Sequence, residues 1–188
     1  RRDDVAWGET AKEEVFANSD SFHGTNCTPQ HEAFNRDMFE YSGIGVWGML
    51  ENHIARQARN VGNRMTIFAG PMLTDDVIEH DFGGGEVKIP LRFWKILLVA
   101  EDIGTKDAEL RAYAFVLDQS YAIKDYGLEL KERFDVGDFE TYQVSLAEIV
   151  DEAGVAFDPV VTAADAYVPS EEEGLRRKLR TIDDVRIR

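Results

Sequence analysis

The sequence predicts an α+β fold, and three observations carry that reading. Residues 65–69, Met-Thr-Ile-Phe-Ala, form a β-branched and aromatic run stopped by Gly70-Pro71, as a strand would be. Residues 93–100 are nearly all apolar and read as a central strand, with residues 110–117 pairing beside it. Helical signals stand on either side of these runs. Trp47, Leu50, Ile54 and Ala58 recur at helical spacing, and Ser145-Leu146-Ala147-Glu148 is a capping box whose helix stops at Gly154.

The remaining elements follow in chain order. Residues 1–21 are mostly charged; a short helix at 9–17 anchored by Trp7 and Phe16 is one reading, and a solvated loop with those two aromatics buried is the preferred one. Residues 22–30 read as a strand ended by Pro29, which cannot donate to a sheet ladder. His23, Cys27 and His31 repeat every four residues, which invites a zinc site. A strand running into a proline turn has a period of two, however, and no fourth ligand is evident, so a loop histidine and a buried thiol are expected instead. Residues 75–86 read as a loop ending in Gly83-Gly84-Gly85; no Lys-Ser/Thr follows, so it is not a phosphate loop. Lys95, inside the apolar run, is expected to be a buried charge with a structural partner. Beyond the helix at Ser145, Glu171-Glu172-Glu173 marks a solvated linker and residues 175–188 form a basic tail expected to pair with the acidic body, with nucleic-acid binding as the alternative. These composition shifts divide the chain into a main unit, 1–168, and a charged tail, 169–188.

The 188 residues suffice for one domain with a sizeable core, and 44% hydrophobic and 11% aromatic content exclude a disordered segment. A single cysteine, Cys27, excludes an internal disulfide, and no apolar run is long enough to span a bilayer. Compartment stays open between bacterial cytoplasm and secretion. The net charge of -15 argues against a protein basic over its whole surface.

Chemistry concentrates between Thr25 and Arg56. Asn26, Asn35 and Glu51 bring two amides and a carboxylate to a turn-rich connection and the helix after it, and such hard oxygen donors suit a hydrated divalent cation. Each residue also has a plainer role. Asn26 suits a turn, Asn35 a helix N-cap, and Glu51 a surface pair with Arg56.

The wording of this stretch, Thr25-Asn26-x-x-Pro29-Gln30, then Asn35, then Trp47-x-x-Leu50-Glu51, resembles the DNA/RNA non-specific endonucleases of the ββα-metal (His-Me finger) class, the endonuclease G-like proteins. Phe68-Ala69-Gly70-Pro71, Ile89-Pro90-Leu91-Arg92-Phe93-Trp94-Lys95, residues 112–117 and Glu148-Ile149 resemble the same family in the same order. The resemblance spans roughly residues 1–165. It implies a central, mostly antiparallel sheet flanked by helices, with Mg²⁺ (Mn²⁺ as the alternative) held by Asn35 and, directly or through water, by Glu51. It also implies that Asn26 orients the catalytic histidine, while Arg56, or alternatively Arg59, stands in for an arginine that the family carries where this chain has Ala55. DNA, RNA or both would be the substrate, a homodimer is within the family's range, and no membrane is involved.

Two departures qualify the match. Residues 36–46 separate Asn35 from Trp47, so Asn35 and Glu51 are expected on two helices converging on one ion. The family's Asp-Arg-Gly-His motif is absent, since His23, His31, His53 and His80 all stand in other contexts, and the chain starts at Arg1. The expectation is a fold incomplete by itself, whose N-terminal part, carrying the catalytic His, is a separate fragment of the same protein. The alternative, favoured by the acidic balance, is a nuclease-like, non-catalytic protein-interaction module.

Overall fold

The computed structural model describes residues 10–20, 28–30, 50, 53, 64–74, 77–119, 140–169, 174–180 and 182–185. Its centre is a five-stranded antiparallel sheet built from β1 (Arg64–Pro71), β4 (Arg92–Glu101), β5 (Glu109–Asp118), β6 (Glu140–Val144) and β7 (Arg177–Leu179), in the order β1-β4-β5-β6-β7. Between β1 and β4 the chain makes a separate hairpin, β2 (Val77–Asp81) with β3 (Glu86–Pro90). Three described helices complete the set: α1 (Ala11–Asp20), α2 (Leu146–Ala153) and α3 (Pro159–Ala163). The α+β class and the mostly antiparallel sheet agree with the sequence reading.

Strands β4 and β5 are apolar on both sides because both sides are covered. Phe93, Leu97 and Val99 alternate onto one face, where they join Tyr113, Phe115, Leu117, Leu179 and Leu50 in a single cluster. Trp94 and Ile96 point the other way, to Ala114, Val116 and the α2 residues Leu146 and Ile149. Burying each such large side chain stabilises the fold by about 1.5–3 kcal/mol, so the two clusters hold the layers together. On the α2 side, the edge-on contact of Trp94 with Phe157, centroids 6.3 Å apart, extends to Phe68, 5.7 Å from Phe157. Gly70 lies opposite Trp94 in the register, and a Cβ there would fall 2.9 Å from the indole Cζ2. Gly70, read from the sequence as ending the strand, is instead paired within β1, and its missing side chain is the space the indole occupies.

Helix α2 begins and ends as its capping box requires. Ser145 Oγ accepts the Glu148 amide at 3.2 Å, and Gly154 closes the helix at φ 63°. Asp165 adds a cap from outside the helix: its carboxylate accepts the Leu146 amide at 2.7 Å and the Tyr167 amide at 3.0 Å. Ion pairs fasten α2 to the sheet. Arg92 Nη1 donates to Glu152 at 2.5 Å, Arg176 Nε pairs with Glu148 at 2.8 Å, and Arg176 also meets Glu152. Burial pushes the Glu148 carboxyl above its ordinary range, and Glu152 adds to the rise while Arg176 and Arg92 oppose it.

Three local expectations change. Residues 77–81 form a strand rather than loop, paired with 86–90, and Val77, Ile78, Val87 and Ile89 stand on either side of the glycines. Residues 11–20 form a helix rather than the preferred solvated loop, and Phe16 is not a buried anchor, since its side chain is 69% exposed. The basic tail is not all surface: Arg177 and Leu179 are buried in β7, while Arg176 makes the expected pairing with acidic residues.

Candidate functional site

The expected site residues Asn26, Asn35, Glu51 and Arg56 all lie outside the described residues, as do His23, Cys27 and His31 of the weighed zinc triplet. Two residues of the expected helix at 47–60 are described. Leu50 and His53 are both helical, and Leu50 is 0% exposed in the cluster with Phe93, Leu97 and Phe115. The apolar side read from Trp47, Leu50, Ile54 and Ala58 is therefore buried at Leu50. Leu50 thus covers the face of the sheet opposite α2.

The same face carries a row of buried polar side chains. The register sets Lys95 on β4 opposite Phe115 on β5, Phe115 opposite Gln143 on β6, and Gln143 opposite Arg177 on β7. Paired residues in antiparallel strands share a face, so Lys95, Gln143 and Arg177 project together into the layer containing Leu50. Lys95 is 3% exposed. Arg177 Nη1 donates to Gln143 Oε1 at 3.4 Å, and its guanidinium lies 5.8 Å from the Tyr167 ring centre. In the neighbouring row Thr141 is fully buried, and its hydroxyl has no hydrogen-bond partner among the described residues.

Buried cations persist only where acceptors compensate their desolvation. Chemically, the row can orient carboxylates, carbonyls or anions on that side of the sheet; it offers no general base. Lys95 was expected as a buried structural charge, and its burial agrees. Arg177 was grouped with a tail because arginines and lysines surround it. The signal that could have found it is the alternation Arg177-Lys178-Leu179, buried, exposed, buried.

Among the described residues, no group of three or more His, Cys, Asp and Glu side chains is placed to hold a metal ion. No helix among the described residues is long and apolar enough to cross a membrane.

Comparison with known proteins bears on the whole chain. Residues 2–164 match the family of DNA/RNA non-specific endonucleases. The chain is also 32% identical over 193 aligned residues to a protein of Sinorhizobium fredii named "Uncharacterized protein y4fB". That alignment takes in 98% of this chain and 26% of the relative, so the chain spans about a quarter of the relative's length.

Proposed function

Because the chain belongs to the DNA/RNA non-specific endonuclease family, we propose that the complete protein hydrolyses phosphodiester bonds of DNA, RNA or both without reading sequence. The observation that carries this reading is the family match over residues 2–164, which includes every residue assigned a role below. The burial of Leu50 supports it, because the residue before Glu51 is then fixed to a rigid sheet.

The chain's own residues divide the work. Asn26 orients the histidine that removes a proton from the attacking water; that histidine comes from an N-terminal part bearing the Asp-Arg-Gly-His motif, which these 188 residues lack. Asn35 and Glu51 present hard oxygen donors that fit Mg²⁺, with Mn²⁺ as the alternative. When bound, the ion supplies positive charge at the scissile phosphate. Arg56 offers a guanidinium to a phosphate oxygen. Recognition through the phosphate alone explains weak sequence preference. A chain of net charge -15 leaves attraction of the polyanion to this local chemistry and to the N-terminal part.

In the complete protein, Asn35→Ala and Glu51→Ala are each expected to lower plasmid cleavage by about 100-fold or more. Both should keep the wild-type circular dichroism spectrum, and Mn²⁺ binding followed by electron paramagnetic resonance should weaken in both. Near-wild-type turnover in both variants would remove the site assignment. The 188 residues alone are expected to be inactive, and metal-dependent digestion by them would overturn the separate origin of the histidine. An inactive complete protein would favour the interaction module.

A further inference from the structure

The β2–β3 hairpin lies outside the five-stranded sheet and has two unlike faces. Its register sets Ile78 opposite Ile89, then His80 opposite Val87, with Phe82 following at the tip. Burial fades along that face. Ile89 is 2% exposed and packs with Leu91 and Ile78, Val87 is 38% exposed, and Phe82 is 61% exposed. The opposite face sets Glu79 against Lys88 and Asp81 against Glu86. An apolar stripe therefore begins in the core and runs out into solvent.

The tip is held in one shape. Asp81 Oδ1 accepts the amides of Gly83 at 2.7 Å and Gly85 at 3.1 Å, where φ values of 86° and 121° require glycine. These amide bonds, Gly85 first, hold the pKa of the Asp81 carboxyl below its ordinary range. The Phe82 ring stands edge-on to His80, with centroids 4.6 Å apart. A single exposed aromatic is common on any surface. Here a carboxylate and left-handed glycines keep the aromatic ring in place, which is what low-cost recognition of a partner requires.

Charge selects the partner. Between residues 77 and 90 the hairpin carries Glu79, Asp81 and Glu86 against Lys88, within a chain of net charge -15. A nucleic-acid backbone would be repelled there, and so would a second copy of this chain. We propose that the β2–β3 hairpin is a docking element for a basic polypeptide segment, whose apolar side chains pack on His80, Phe82 and Val87 while its lysines or arginines meet Glu79, Asp81 and Glu86. Among the described residues β2 and β3 pair only with each other, and the outer edges of such a two-stranded sheet suit an extended segment of this kind. The inference does not depend on nuclease activity.

The probe is a hexapeptide alternating lysine and leucine, titrated into the ¹⁵N-labelled chain, with hexalysine as the charge-only control. Amide shifts confined to residues 78–89 are expected, weakened at least tenfold with hexalysine and at least tenfold in Phe82→Ser/Val87→Ser. Both substituted side chains are solvent-exposed, so the variant should fold, and a Val160→Ser variant, changed at an exposed apolar residue of α3, should bind as wild type. Shifts outside the hairpin, or equal binding by the double variant, would overturn the proposal. So would hairpin shifts produced by a duplex oligonucleotide, or by raising protein concentration alone.

Discussion

At the scale of single residues, Gly70 and Trp94 show how a small side chain decides where a large one goes. The indole lies against the glycine so closely that an added methyl would meet Cζ2 at 2.9 Å. Gly70→Ala is therefore expected to lower stability by about 1–3 kcal/mol, the usual penalty of overpacking. Urea denaturation checks this, and an unchanged midpoint would show that the ring has room to retreat. The sequence marks Gly70 as a strand terminator, whereas it pairs within β1, and its service to Trp94 was not legible because that contact depends on pairing between residues 24 apart in sequence. Arg177 is a similar case. Its neighbours Arg176 and Lys178 made it look like one more surface cation, whereas the pleat turns it inward beside Gln143.

At the scale of elements, the hairpin tip responds to acid. The amides of Gly85 and Gly83 favour the ionised form of Asp81, so its folded pKa lies below the unfolded one. Its contribution is then complete above the unfolded value, about pH 4, and is lost as pH falls through the lower folded value. The Gly83 and Gly85 amide proton shifts should titrate together with a midpoint below that of an ordinary aspartate; an ordinary midpoint would show the tip unformed in solution. Elements with strong local signals were legible. β4 and β5 are continuous apolar runs, and α2 carries both its caps in sequence. The hairpin was missed because three glycines and a cluster of acids look like loop, although Val77, Ile78, Val87 and Ile89 already carried the strand pattern. For the candidate site, the sequence reveals donor types at Asn26, Asn35 and Glu51 but not their convergence, which depends on contacts between distant segments. Leu50 is the exception: its place in a helical apolar pattern predicted its burial.

At the scale of the whole molecule, the core recruits residues from distant parts of the chain. Leu50 and Leu179 meet in one cluster with β4 and β5. Leu179→Ala is expected to destabilise the protein by about 2–5 kcal/mol, as for other buried leucines. Thermal melting tests it, and a change of a degree or less would mean that β7 is dispensable to the core. Between β1 and β4, the Met72 amide donates to the Arg92 carbonyl at 2.8 Å, so the excursion carrying the hairpin leaves the sheet and returns to it at one point. The excursion thus behaves like a socketed attachment. Segments of other lengths or compositions can be spliced between residues 77 and 88 while every rung of the β1–β4 ladder stays where it is. A lineage of such proteins could exchange its binding partner there without altering the scaffold that carries the rest of the molecule.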